Sequence, residues 1–396
     1  MLKGSKRSRL IVGLAAVAVL AAACSGSGSS AAPSAAAPSA AAPSAAAPSA
    51  AAPSGSAAAK QYTIGYSNGG GVGNGFREEQ LCTARAEALA SGDVSKITVI
   101  SRNTDAAGQL QDIRDLIAKG VNAIVFNPND PAALNPALAE AQAAGIKTVS
   151  VDAYVTDPNT WNLYNNQVKY AELGATWLFE KLGGKGNVYY MRGIAGNPAD
   201  SDRDIGFKNA LKNYPGITVV PGPEGVATGW DPATATKLAN EFIASGKYDT
   251  VQGIWTSGID SEVVDAIKAA GKKFVPIVGT DRGSFVKQLL DPTGYPGLVG
   301  AAVTNTAAVG GAGVNMALKQ LNGETVTATA GAKPNTVLLD PIAVDNTTDA
   351  GKQQLQGWLG VTLPDPSWPL GITIDGWTTY TPEQAVPPAG CKGPNE

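Results

Sequence analysis

From residue 62 onward, short β-rich runs alternate with amphipathic stretches, and this alternation limits the chain to a small set of folds. Runs at residues 62–66, 96–101, 123–127 and 147–152 read as strands. Helical patterns lie between them, such as 106–119, which carries Leu110, Ile113, Leu116 and Ile117 on one stripe. Later runs at 187–191, 217–221, 250–254 and 275–279 are separated by helical patterns at 203–213, 233–244 and 259–270. Strands separated by helices build parallel sheets through right-handed crossovers. Two consecutive sets predict an α/β chain with two doubly wound parallel-sheet lobes. Ligands in such folds sit beyond the carboxyl ends of the strands, so chemistry is sought just after each strand.

The first 60 residues read differently. Lys3, Lys6, Arg7 and Arg9 precede an apolar run at 10–23, shorter than the ~20 residues a spanning helix needs. Residues 1–23 therefore read as an export signal. The sequence Leu20-Ala21-Ala22-Ala23-Cys24 resembles a bacterial lipobox, with Ala21 where Leu is usual. The resemblance implies cleavage before Cys24 and lipid on its sulfur. The chain would then be extracytoplasmic, anchored to the outer face of the bacterial cytoplasmic membrane. Residues 31–54 repeat Ala-Ala-Pro-Ser-Ala, with Pro at 33, 38, 43, 48 and 53. That spacing denies a helix its hydrogen bonds, so 24–60 reads as an extended, semi-stiff linker.

Composition removes whole classes of function. The chain has no histidine, which excludes a Ser-His-Asp or Cys-His nucleophile, a His-ligated zinc and a His general base. Thirty basic residues face 33 acidic ones, and four of the basic ones lie in the signal. The remaining acidic balance argues against nucleic acid as a partner. Gly65-Tyr66-Ser67-Asn68-Gly69 has the spacing of a nucleophile elbow, but no histidine exists to activate Ser67. Gly71-Val72-Gly73 would need Gly at position 76, where Phe76 stands, so no dinucleotide fingerprint forms. Asp200, Asp202 and Asp204 alternate like a calcium loop, but Ile205 and Leu211 occupy the positions of its turn Gly and its last acid. No cofactor and no metal is expected. With Cys24 lipidated, Cys82 and Cys391 remain as an even pair in an exported chain, which predicts a disulfide between them.

The post-strand positions carry side chains suited to a polyhydroxylated ligand: Phe76, Arg77, Asp152, Tyr154, Arg203, Trp230, Thr256, Asp281 and, in the 304–305 pair, Asn305. Sugar C–H faces stack on aromatic rings, and each hydroxyl wants a donor and an acceptor, which Arg and Asp supply. The segment Asn103-Thr104-Asp105 with Gln109-Leu110, Ile113 and Leu116 through Ile124, then Asn127-Pro128, resembles the ribose/galactose-type (cluster B, class I) periplasmic binding proteins. So do residues 144–152, Arg203-Asp204-Ile205-Gly206-Phe207 and Ile277-Val278-Gly279-Thr280-Asp281.

The resemblance implies two lobes joined by a hinge with three crossings, a sugar in the cleft and delivery to an ABC importer permease. It sandwiches the sugar between Phe76 and Trp230. Asp152 and Asp281 act as hydroxyl acceptors, Arg203 reaches from the second lobe, and Thr304 or Asn305 supplies a hinge amide. Two positions depart from the family: Ala153 replaces the usual Arg, and Thr256 stands where Asn is usual. The expected domains are 61–165 with 304–338 for the first lobe, and 166–303 with 339–396, tail included, for the second. The expected function is capture of a monosaccharide or related polyol by a monomeric, non-enzymatic, membrane-tethered receptor. The rivals are a sensory receptor coupled to a membrane kinase or chemoreceptor, and an envelope glycoside hydrolase with paired carboxylates.

Overall fold

The computed structural model describes residues 61–70, 74–361, 368–370 and 373–386. The signal at 1–23, Cys24, the linker at 24–60, Gly71, Gly73 and Cys391 lie outside the described residues. The chain opens with β1 (Tyr62–Asn68), α1 (Gly75–Ser91), β2 (Val94–Ser101), α2 (Ala106–Ala118), β3 (Ala123–Asn127), α3 (Asn135–Ala143), β4 (Lys147–Val151) and β5 (Trp161–Asn165). It crosses to a second lobe of α4 (Gln167–Lys181), β6 (Lys185–Arg192), α5 (Pro198–Leu211), β7 (Gly216–Val220), β8 (Val226–Ala227), α6 (Pro232–Ala244), β9 (Gly253–Trp255), α7 (Asp260–Ala269), β10 (Ile277–Thr280), α8 (Gly283–Leu289) and β11 (Gly300–Val303). It returns for α9 (Val309–Leu321) and β12 (Thr336–Leu339), then crosses back for β13 (Ala343–Asp345) and α10 (Asp349–Trp358).

The first sheet has the order β12-β5-β4-β3-β1-β2, with every pair parallel. The second runs β13-β11-β10-β9-β6-β7, parallel except for the edge strand β13. Each sheet is covered on both faces, so its central strands read as continuous apolar runs, as in Ala123–Asn127. One face of the first sheet packs with Leu81 and Ala84 of α1 and Val309 and Met316 of α9. The other meets Ile113 and Leu116 of α2 and Leu138 of α3. The α/β reading of two doubly wound lobes is borne out.

Local chemistry sets the helix starts. Asp105 Oδ1 accepts from Gly108 N–H (2.8 Å) at α2, and Asp231 Oδ1 from Thr234 N–H (2.7 Å) at α6. The helix expected at 203 begins earlier, at Pro198, because Asn197 caps it and Pro suits its first turn. The strand expected at 250–254 begins at Gly253, since Lys247–Thr250 forms a 3₁₀ turn. Asp200 at the start of α5 accepts from Arg192 (2.7 Å) and Gly193 N–H (2.8 Å), which accounts for the acid that mimicked a calcium loop. Ser67 is fully buried.

The tail corrects one expectation. Residues 368–370 stay with the second lobe, but 374–386 do not. Glu87 of α1 accepts from Thr379 N–H (2.7 Å) and Thr379 Oγ1 (3.0 Å), and Tyr380 packs with Ala86 and Ala308. These partners belong to the first lobe, and they leave a polar helix side chain satisfied under an apolar cover.

Helix α9 lies against α1 because Gly310 has no side chain. A Cβ there would sit 2.1 Å from the Gln80 carbonyl oxygen, which is backbone and cannot turn aside. Gly310→Ala should therefore destabilise the fold by about 1–3 kcal/mol, the usual range for overpacking. A urea titration should show a lower midpoint with an unchanged slope. An unchanged midpoint would mean that the helices part at no cost.

Candidate functional site

The first lobe builds its wall from strand ends. Asn68 closes β1, and its amide donates to the Arg77 carbonyl (2.8 Å) while Arg77 Nη1 donates back to Asn68 Oδ1 (3.2 Å). This clamp, with Asn74 capping α1 at Arg77 N–H (3.1 Å), fixes Phe76 and Arg77 at the helix start. Asn127 closes β3, and its Nδ2 donates to Asp152 Oδ2 (3.1 Å) and Gln80 Oε1 (2.9 Å). Asn127 Oδ1 is buried without a partner among the described residues. Asp152 follows β4 with φ of 65°, in the left-handed region that non-glycine residues rarely occupy. Burial raises the Asp152 pKa, against the pull of Arg77 and the Asn127 hydrogen bond.

The second lobe presents a ring and a guanidinium. Trp230 also has positive φ, 53°. Its indole lies on Gly193, where a Cβ would come within 2.0 Å of the ring, and its Nε1 donates to Ser257 Oγ (3.3 Å). Arg203 is 4% exposed. Its Nε donates to Gln167 Oε1 (2.7 Å) and its Nη1 to Ser257 Oγ (2.8 Å), while its Cζ stands 4.2 Å from the centre of the Tyr170 ring. Among the described residues no group takes its Nη2.

The hinge completes the wall. Gln167 Nε2 and Asn165 Nδ2 both donate to Asn305 Oδ1 (2.9 and 3.2 Å), and Asn305 N–H donates to Asp281 Oδ1 (3.0 Å). Asp281 Oδ2 is buried with no partner among the described residues. Burial pushes its pKa up to about 7, against the donated Asn305 N–H. Thr304 instead pairs the hinge strands, its amide donating to the Ile342 carbonyl (2.9 Å).

These groups enclose one cavity of about 250 Å³ between the carboxyl ends of the two sheets. Phe76, Arg77, Asp152, Arg203, Trp230, Asp281 and Asn305 all line it. Two residues singled out from the sequence do not. The Tyr154 ring packs beside Tyr164, with Lys333 Nζ 3.0 Å from its centre. Thr256 is fully buried, its hydroxyl within hydrogen-bond distance of the Val278 carbonyl (2.7 Å) and Asp260 (2.9 Å). The neighbouring Ser257 lines the cavity instead. Trp255, close in sequence, is core, edge-on to Tyr170. Asn127, Gln167 and Pro369 line the wall without having been foreseen as site residues. Asn127 ends a strand, so the strand-end rule that found Asp152 also reaches it.

The wall sets donors and carboxylate acceptors around the Trp230 ring. No cluster of potential metal ligands occurs among the described residues. Two α/β lobes thus meet across one cavity lined by rings and polar side chains from both.

The chain belongs to the periplasmic binding protein domain family, whose sequence model matches residues 64–325. That family binds solutes without catalysis. The xylitol-binding protein of Mycolicibacterium smegmatis is 27% identical over 229 residues, 57% of this chain and 64% of that protein. The ribose import binding protein of Bacillus subtilis is 31% identical over 155 residues, 39% of this chain and 50% of that one. The chain thus spans between half and two thirds of these two curated relatives. Among solved structures, an ABC transporter solute binding protein from Thermobispora bispora superposes with a TM-score of 0.64 at 26% identity, covering 78% of this chain and 90% of that one.

Proposed function

We propose that the chain captures a monosaccharide or related polyol outside the cytoplasm and hands it to an ABC importer permease. The observation that carries this reading is the cavity itself: about 250 Å³, walled by both lobes, with Trp230 and Phe76 as rings and Arg77, Arg203, Asp152 and Asp281 as hydroxyl partners. Its volume lies below the 300–1,000 Å³ typical of drug-sized sites, which suits a single sugar ring. Relatives named for xylitol and ribose support the class. Both walls come from one chain, so a monomer suffices. Solute contacts from both lobes favour the closed state. A thermal-shift screen of pentoses, hexoses and pentitols tests this, since a ligand at ~100 Kd adds ~2.7 kcal/mol. A panel in which no sugar or polyol raises Tm while amino acids do would sink it.

The N-terminal half of the proposal is a tether. Cys24 becomes the acylated N-terminus, and the Ala/Pro/Ser linker holds the receptor off the membrane. In fractionated cells, Cys24→Ala should lose the wild-type processing and accumulate as the unacylated precursor. A variant as firmly bound and as fully processed as wild type would refute the anchor.

Cys82 is fully buried on α1 and disulfide-bonded. We take Cys391 as its partner, which pins the tail to the first lobe. Unfolded, unreduced mature protein should then show no reactive thiol, and reduction should cost about 2–4 kcal/mol of stability. Two titratable thiols would disprove the pairing.

A further inference from the structure

Residues 368–370 belong to one lobe by their backbone and touch the other by a side chain. Gly283 N–H donates to the Trp368 carbonyl (3.0 Å), and Leu370 N–H donates to the Asp281 carbonyl (3.0 Å). Pro369 forms an antiparallel bridge with Arg282, and Leu370 is fully buried in the second lobe's core. The Trp368 indole, however, lies on the start of α1 in the first lobe. A Cβ on Gly75 would sit 2.4 Å from its Cδ1 and 2.9 Å from its Nε1. Trp368 is 8% exposed, so nearly all of that ring is covered. Pro369 and Gly75 both line the solute cavity. A few residues on, 374–386 are fixed to α1 through Glu87 and the packing of Tyr380. The contact between indole and Gly75 joins groups on different lobes and is lost when they part.

We propose that Trp368 is a clasp that holds the closed lobes together at the edge of the solute cavity, with Pro369 as part of the wall that limits solute size. The C-terminal segment then sets how long a solute stays bound. This rests on the solute-capture reading above. Trp368 acts as a positioning residue: it grips Gly75 and holds Pro369 in place, and its effect falls on release more than on entry.

The test uses the full chain with D-ribose and xylitol as probes, followed by stopped-flow association and dissociation. Trp368→Ala should speed release about tenfold, the scale of a lost aromatic contact. Association should change by less than about threefold. Trp368→Phe should restore most of the residence time. Gly75→Ala displaces the indole, so it should speed release in the wild type and add nothing in a Trp368→Ala background. Equal effects of Gly75→Ala in both backgrounds, or unchanged release in Trp368→Ala, overturns the clasp. A wild type that binds neither probe counts against a pentose or pentitol solute, and amide exchange then decides the clasp separately. Trp368→Ala must raise exchange at Gly283 and at the first turn of α1 together. Loss of protection at Gly283 alone refutes it.

Discussion

An Asp281→Asn protein is expected to be more stable than the wild type at pH 8 and to bind its solute far more weakly. Asp281 is 1% exposed, and its Oδ2 has no partner among the described residues. Burial raises its pKa from 3.8 to about 7. Between those two values the folded state holds more proton than the unfolded chain, so stability falls as pH rises. The contribution is fully present below pH 3.8 and lost above 7. At ~1.4 kcal/mol per unit, about three units give an upper figure of about 4 kcal/mol. Glu79 on α1 acts in the same direction: it is buried, neither oxygen has a partner among the described residues, and burial together with Asp281 holds its pKa well above the usual carboxylate range. An amide at 281 can still accept from Asn305 N–H but carries no charge to bury. Thermal melts from pH 4 to 8 should therefore show a flatter profile for the variant. Binding should weaken 10- to 100-fold, because hydrogen bonds to charged groups are worth about 1.5–3 kcal/mol. A solute hydroxyl that donates to Oδ2 favours the ionised form, so wild-type affinity should drop as pH falls through 7. Identical melting profiles for the two proteins would show that Asp281 is not the titrating group.

Trp230→Ala and Arg203→Ala should both weaken binding, by different physics. In the proposed site the indole would cover an apolar face that many sugars share, a contact of roughly 0.5–1.5 kcal/mol beyond burial by analogy with aromatic pairs. Its loss should lower affinity for all accepted sugars by similar factors. Arg203 is proposed to read particular hydroxyls, each charged hydrogen bond being worth about 1.5–3 kcal/mol, so its loss should separate epimers. Far-UV CD should stay native in both. Arg203→Ala should nevertheless melt earlier, because Gln167 Oε1 loses its donor and the face of Tyr170 is uncovered. Isothermal titration across an epimer panel decides the matter. If both variants bind the best sugar as tightly as wild type, the solute sits elsewhere.

The alternation of β-rich and amphipathic runs carried the architecture, because burial on both faces of a parallel sheet forces it into the sequence. Two strands left a weaker trace. β5 reads Trp-Asn-Leu-Tyr-Asn, and β13 is three residues long and antiparallel, so neither offers a period to detect. The site was legible wherever its residues follow strands, as with Asp152, Trp230 and Asp281. Tyr154 and Thr256 also follow strands, but one packs beside Tyr164 and the other buries its hydroxyl, both outside the cavity. Gln167 reaches the wall from a hinge, and Pro369 from a tail more than 200 residues away in sequence. Such placements depend on long-range packing that no local pattern encodes.

The two positive-φ side chains of the cavity, Asp152 and Trp230, bear on any attempt to harden this protein. Left-handed backbone costs a non-glycine residue roughly 1–2 kcal/mol. A selection that rewards heat resistance alone would therefore find glycine at either position attractive. Each such change would remove a carboxylate or a ring from the solute's path. Improvement by melting temperature and improvement by uptake would then pull the sequence in opposite directions, and at these two codons a thermostability screen would enrich for receptors that hold nothing.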